Sequence, residues 1–229
     1  MTMVTGKIAV VAGATGLIGS ELVRMLESDP AYARVIVLVR RKVDWGVQSR
    51  VETVVVDFDR LEEALEAVPV GGAHVFCALG TTIRKAGSQE AFRQVDYAYP
   101  LALGRAAAKA GAEQFLIVSA MGANAESGIF YNRVKGEVEE GLRQLGLRGL
   151  HLFRPSLLLG ERQEFRLGER IGAVVSRGLA FLLVGGWRKY RPIAAAKVAK
   201  AMLQTAAAGR EGDFVYESDV IEQTAGGSV

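Results

Sequence analysis

Tyr131 and Lys135 stand four residues apart in the run Tyr131-Asn132-Arg133-Val134-Lys135, which on a helix sets the phenol and the ammonium on one face. A free phenol with a pKa near ~10 is a poor acid–base group at neutral pH, but a neighbouring ammonium favours the phenolate and turns the pair into a proton relay. Such a spacing recurs in helices that do no chemistry, so its setting gives it weight. Ser119 ends the apolar run that begins at Phe115, where a strand of an open parallel sheet presents its ligands, and precedes the tyrosine by twelve positions. That interval leaves room for a loop returning over the site. His74 and His151 lack the His, Cys or carboxylate companions that a metal site needs, so no metal ion is expected. Cys77 is the one cysteine and sits inside the apolar run Ala73 to Leu79, which predicts a buried thiol and rules out an internal disulfide.

A second constellation lies near the start. The apolar run Ile8 to Ala12 breaks into Gly13-Ala14-Thr15-Gly16-Leu17-Ile18-Gly19 and resumes as an amphipathic helix, Leu17 to Glu27, followed by an apolar strand, Arg34 to Val39. This is the pattern of a dinucleotide-binding turn. Gly13 allows the sharp turn, Gly16 lets backbone N–H groups approach a pyrophosphate, Gly19 lets helix and strand pack closely, and Thr15, Leu17 and Ile18 complete the cradle. Past the second strand stand Arg40, Arg41 and Lys42, with no acidic residue at the strand end. A carboxylate there would bind ribose hydroxyls, whereas guanidinium groups match a 2′-phosphate, so NADP(H) is favoured over NAD.

The elements that must position these groups alternate along the chain. Strands are predicted at Val51 to Val56, Ala73 to Ala78, Phe115 to Ser119, Gly149 to Phe153 and Phe214 to Glu217; helices are predicted at Leu61 to Ala67, Gln89 to Ala110 with a kink or a fresh start at Pro100, Tyr131 to Leu145 and Ala194 to Ala208. Alternation of this kind gives an α/β fold, a doubly wound parallel sheet of Rossmann-like type. No repeat or linker divides the 229 residues, so one domain is expected, with Glu161 to Gly185 carrying a helix of undefined extent, residues 161–212 forming a small helical lid on the substrate side, and a frayed tail from Gln223.

The net charge of +3 is modest and the basic residues are scattered, so no nucleic-acid track is indicated. The longest apolar candidate, Leu179 to Val184, falls far short of the ~20 residues of a membrane helix. The opening residues lack a secretory signal, and the expectation is a cytoplasmic protein that does not engage a membrane.

With these motifs in view, the chain resembles the short-chain dehydrogenase/reductase superfamily over essentially its whole length. Cys77-Ala78-Leu79-Gly80-Thr81-Thr82, Val95-Asp96-Tyr97, Tyr131 to Glu139, and Phe153-Arg154-Pro155 to Glu164 look like the atypical branch that contains the Tat-interacting oxidoreductase family. The resemblance implies NADP(H) as cofactor, Tyr131 as the acid–base residue, Lys135 as the group that holds the nicotinamide ribose and tunes Tyr131, and Ser119 as a hydroxyl beside the substrate carbonyl. It also implies that Asp57 faces the adenine, that Leu79, Gly80 and Thr81 pass near the pyrophosphate or nicotinamide ribose, and that Pro155, Ser156 and Leu157 close on the carboxamide. Asp57 reads equally well as a helix cap. Family members often carry two successive hydroxyl residues after the fifth strand; this chain has Ser119 followed by Ala120. The function expected is reduction of a carbonyl-type group on a small molecule. The alternatives are an NADPH-binding regulatory protein that contacts a partner according to cofactor state and, ranked lower because the chain ends before a sizeable sugar-binding domain, an epimerase of sugar nucleotides. The helices bearing Tyr97 and Tyr131 often form homodimer contacts in the wider superfamily.

Overall fold

A computed structural model of the protein describes residues 6–45, 50–159 and 191–227. In chain order the elements are β1 (Lys7–Ala12), α1 (Leu17–Ser28), β2 (Tyr32–Val39), β3 (Val51–Val55), α2 (Leu61–Ala64) between two 3₁₀ turns, β4 (His74–Cys77), α3 (Ile83–Ala86) and α4 (Gln89–Arg93). A π turn, Gln94–Ala98, leads into α5 (Tyr99–Ala110), and β5 (Gln114–Val118), α6 (Phe130–Arg143) and β6 (Gly149–Arg154) follow. The chain closes with β7 (Leu158–Leu159), β8 (Ile193–Ala194), α7 (Ala195–Ala208), β9 (Gly212–Glu217) and α8 (Ser218–Gly226).

Seven strands form one parallel sheet in the order β3-β2-β1-β4-β5-β6-β9. Successive side chains of a strand point to opposite faces, and the sequence makes both faces apolar. Ala9, Val11, Val35, Val37, Phe76, Leu116 and Phe153 pack on one side against Leu22, Val198, Met202 and Ile221 of α1, α7 and α8. Val10, Ala12, Ile36, Leu38, Val75, Phe115, Ile117 and Leu152 pack on the other against Leu61, Leu103, Val138 and Leu142 of α2, α5 and α6. Near-continuous apolar runs are what a parallel sheet covered on both sides requires. The result is a single Rossmann-like domain, doubly wound as the alternation predicts. Its order reverses between β1 and β4, the place where such sheets open a crevice at the carboxyl ends of the strands.

Several expectations are corrected. Pro100 does fall at a fresh helical start, in the first turn of α5, but the π turn that precedes it was not anticipated. The tail is not frayed from Gln223: α8 runs to Gly226 because Ile221 and Ala225 are buried against the body. Residues 195–212 do not belong to a lid, since Val198, Ala199, Ala201 and Met202 of α7 are fully buried against the sheet layer and Gly212 starts β9. The short parallel pair β7–β8 has no counterpart in the sequence reading. The expected helix within Glu161 to Gly185 lies outside the described residues.

Candidate active site at the switch point

The glycine turn joins β1 to α1 under tight packing. Gly13 adopts φ +83°, and a Cβ there would stand 2.4 Å from the carbonyl oxygen of Ala78; a Cβ on Gly19 would stand 2.1 Å from the carbonyl oxygen of Gly13. Neither position tolerates a side chain. The turn closes by Gly16 N–H donating to Gly13 O at 2.9 Å, and α1 starts at once with no side chain capping it. The first N–H groups of α1 therefore remain for an anion, as pyrophosphate binding demands.

Because β1 and β4 are neighbours, the exit of β4 lies against this turn. From there Leu79, Gly80 and Thr81 run toward the π turn, where the Thr81 amide donates to Asp96 Oδ2 at 2.8 Å and a Cβ on Gly80 would stand 3.5 Å from Asp96 Oδ1. Asp96 Oδ1 lies 2.8 Å from Lys135 Nζ, with Asp96 1% and Lys135 5% exposed. Burial works against the charge on Lys135, but the attraction of Asp96 and then of Tyr131 outweighs it, and the ammonium is held above its ordinary range. Tyr131, one turn earlier on α6, is half-buried with its ring 5.7 Å from that of Phe92. The structure thus brings Tyr131 and Lys135 together beside the segment that links them to the glycine turn. Cys77, at the end of β4, is fully buried as expected, and burial pushes its thiol up to about 12, so it remains neutral.

Asp96 was missed as a site residue. The signal available was its place in the Val95-Asp96-Tyr97 motif; the contact with Lys135 depends on how α6 packs against the π turn.

Ser119 lies one residue past β5, 4% exposed, with its amide still paired to Phe153 O at 2.7 Å. Its hydroxyl donates to Glu139 Oε1 at 2.5 Å. Glu139, two turns beyond Tyr131 on α6 and 1% exposed, also accepts from Arg154 Nε at 3.0 Å and from the terminal guanidinium nitrogen at 2.6 Å, while Arg154 reaches Glu217 at 3.2 Å. A hydroxyl has one proton to donate. In this arrangement the Ser119 proton goes to Glu139.

At the adenosine end, Arg40 and Arg41 are exposed just past β2, and neither is ion-paired to a described carboxylate, although Arg34, Arg60, Arg93, Arg105 and Arg148 all are. Asp57 accepts from the amide of Asp59 at 3.0 Å, capping the turn Phe58–Arg60. On the far side of the crevice, the Pro155 carbonyl accepts from Met121 N–H at 3.1 Å, and the Leu157 carbonyl from Ile193 N–H at 2.9 Å. The Ser156 hydroxyl is buried, donates to the Arg191 carbonyl and accepts from Ser218 Oγ at 3.0 Å. Its hydroxyl serves the junction with β8 and α8 rather than an open cleft, whereas Leu157 is half-exposed. Among the described residues no group of three or more His, Cys, Asp or Glu is placed to hold a metal ion, and no helix is long and apolar enough to cross a membrane.

The model of a family described as NAD(P)H-binding matches residues 13–147. Protein FMP52, mitochondrial, of Candida albicans is 34% identical over 208 residues, covering 89% of this chain and 90% of its own. Protein HTATIP2 of Rattus norvegicus is 34% identical over 198 residues, covering 84% and 78%. Among solved structures, MoeE5 in complex with UDP-glucose and NAD superposes with a TM-score of 0.65 at 18% identity over 97% of this chain and 82% of its own. A short chain dehydrogenase family protein from Francisella tularensis gives 0.62 at 10% identity over 86% and 90%. The names of the FMP52 relatives overturn the cytoplasmic placement expected from the opening residues, since those proteins are called mitochondrial. The family match over residues 13–147 and the 34% identity over most of each relative make this chain a member of the NAD(P)H-binding, atypical short-chain dehydrogenase/reductase family to which FMP52 and HTATIP2 belong.

Proposed function

We propose that the protein is an NADP(H)-dependent oxidoreductase that reduces a carbonyl-type group on a small molecule. The observation that carries this reading is the junction of the glycine turn, through Leu79 to Thr81, with a buried Lys135 one helical turn from Tyr131. When bound, NADPH supplies the hydride. The residues fit it: the turn is packed too closely at Gly13 and Gly19 for a side chain, the N-cap of α1 makes no side-chain cap, and Arg40 and Arg41 offer guanidinium groups to a 2′-phosphate. Tyr131 donates its phenolic proton to the carbonyl oxygen as negative charge develops there, and the Lys135 ammonium compensates the phenolate left behind until solvent returns the proton. Ser119 acts at one remove, by holding Glu139 and hence the face of α6 that bears the pair.

Titration calorimetry tests the cofactor assignment. NADPH is expected to bind more tightly than NADH, and the Arg40→Ala, Arg41→Ala double variant to lose at least about tenfold in NADPH affinity with little change for NADH. Failure of both nucleotides to bind would sink the reading. A carbonyl panel then compares the parent with Tyr131→Phe, which is expected to lose 100-fold or more in turnover.

A second reading, an NADPH-binding regulatory protein with little turnover, draws support from the commitment of Ser119 to Glu139 and from Ala120 in the place of a second hydroxyl. It shares the calorimetric outcome and is separated by the panel, on which it predicts equal and negligible rates for the parent and Tyr131→Phe.

A further inference from the structure

We propose that Arg191 is a substrate-binding residue, and that the carbonyl compound reduced at Tyr131 is an anion whose carboxylate or phosphate group docks on this guanidinium. The inference rests on the reading of the protein as an NADP(H)-dependent reductase, and deepens it by naming the substrate class.

Arg191 stands on the far wall of the crevice, beside the segment that follows β6. Its carbonyl accepts from the buried Ser156 hydroxyl, which itself accepts from Ser218 Oγ at 3.0 Å, and two residues on Ile193 N–H donates to the Leu157 carbonyl at 2.9 Å. Pro192 between them restricts its own φ and the backbone of Arg191. The same segment is joined to the β5 exit, where Ser119 lies, by Met121 N–H donating to the Pro155 carbonyl at 3.1 Å. The backbone of Arg191 is thus fixed, but its side chain is not served in the same way. Arg191 Nε is buried without a hydrogen-bond partner, and no carboxylate among the described residues forms an ion pair with the guanidinium.

Two other arginines show what that edge is built to hold. Arg34 presents Nε and Nη2 to Glu52, both at 2.7 Å, and Arg154 presents the same two nitrogens to Glu139 at 3.0 and 2.6 Å. A guanidinium fork matches the paired oxygens of a carboxylate or a phosphate, and a buried N–H left without an acceptor is a defect that folds rarely carry.

Unpaired cations gather at the same edge of the sheet. Among the described lysines and arginines, the side chains with no ion pair, backbone hydrogen bond or ring contact are those of Arg40, Arg41, Lys42, Arg84, Lys85, Arg191 and Lys200. All but Lys200, on α7, follow the carboxyl end of β2, β4 or β6. A cleft lined by one sign of charge concentrates ligands of the other. The cofactor's own anions do not reach across the whole of it. Its pyrophosphate belongs to the glycine turn at β1 and its 2′-phosphate to the end of β2, whereas β6 lies three strands from β1 on the other side, roughly 14 Å across the sheet. Arg191 is therefore left for an anion that enters from the substrate side.

The test uses the full chain and three matched probes: para-formylbenzoate, para-formylphenyl phosphate and the neutral methyl para-formylbenzoate. Binding is read by titration calorimetry on the NADP⁺ complex, where no hydride is available, and reduction from NADPH consumption. One of the two anions is expected to bind at least tenfold more tightly than the ester, and which one does so separates a carboxylate from a phosphate substrate. That preference is expected to fall at least tenfold in Arg191→Gln and at least threefold in Arg191→Lys, which keeps the charge and the length but not the fork. Lys200→Gln, which removes an equal charge away from the crevice, is expected to leave it within twofold, and NADPH affinity is expected to stay within twofold in both Arg191 variants. A preference for neither anion, a preference that survives Arg191→Gln, an equal loss in Lys200→Gln, or a loss of NADPH affinity in both Arg191 variants would each overturn the proposal. The two readings fail separately. An anion preference that depends on Arg191, with no NADPH consumption on these probes or on the carbonyl panel, supports the anion site and overturns the reductase. Reduction that is indifferent to probe charge and to Arg191 leaves the reductase standing and overturns the anion site.

Discussion

Ser119 and Lys135 show how little a residue's type says about its task until its neighbours are known. Both were picked out by position, one at a strand end and one a helical turn from a tyrosine. The packing of α6 then gave each a carboxylate: Glu139 takes the serine proton and Asp96 takes the ammonium. Ser119→Ala should cost about 1.5–3 kcal/mol in stability, the range for a lost hydrogen bond to a charged group, with Glu139 still held by Arg154. Its effect on turnover should be much smaller than that of Tyr131→Phe. Denaturant melts and a side-by-side rate comparison check this; equal losses of activity in the two variants would return Ser119 to direct contact with substrate. The Tyr131–Lys135 pair was legible because its members are one helical turn apart, an interval that the helix itself converts into proximity. Asp96 was not, because no local periodicity relates the π turn to α6.

At the scale of elements, the helix that bears Tyr131 and Lys135 depends on one close approach. A Cβ on Gly136, the residue after Lys135, would stand 2.1 Å from the amide nitrogen of Ala125 and 2.2 Å from the carbonyl carbon of Asn124, so the segment that follows β5 lies directly on the backbone of α6. The same segment is tied to the helix by Asn124 N–H donating to the Asn132 carbonyl at 3.0 Å. Gly136→Ala must push the two apart and is expected to destabilise by about 1–3 kcal/mol, as overpacking does, and to slow turnover because Ala120 and Met121 move with that segment. Thermal melts and rates on the same preparation test it; an unchanged melting temperature would show that the approach is not rigid. The element boundaries read from the sequence are close to those observed, because apolar runs and helical spacing are local signals. The errors fall where packing overrides them: in α8, held by Ile221, and in the π turn ahead of Pro100.

For the molecule as a whole, the end of the sheet opposite the crevice carries a pH response. His74 is buried with Nδ1 2.8 Å from the Tyr32 hydroxyl, and His151 is buried between the Tyr216 hydroxyl at 3.0 Å and Gln114 Oε1 at 2.6 Å. Burial, aided by the charge of Lys7 for one and Arg210 for the other, pushes each imidazole down to about 4. Between that value and the ordinary one near 6.5 the unfolded chain binds more protons than the folded one, so stability is full above about pH 6.5 and declines as pH falls toward 4. Melting temperatures measured from pH 7.5 to 4.5 should fall steadily over this window; a flat profile would contradict the neutral, hydrogen-bonded state of both rings.

Read by itself, the sequence was sufficient for the sheet's class, the nucleotide turn, the basic end of β2 and the Tyr131–Lys135 pair, since each is written in adjacent residues or in spacings of one helical turn. Only the tertiary structure decided that Lys135 is paired with Asp96, that Ser119 is committed to Glu139, and that residues 195–212 belong to the body of the domain rather than to a lid. Those outcomes depend on which strands become neighbours and on how closely a helix descends onto them. They are set by burial summed over both faces of the sheet and not by any local run of residues.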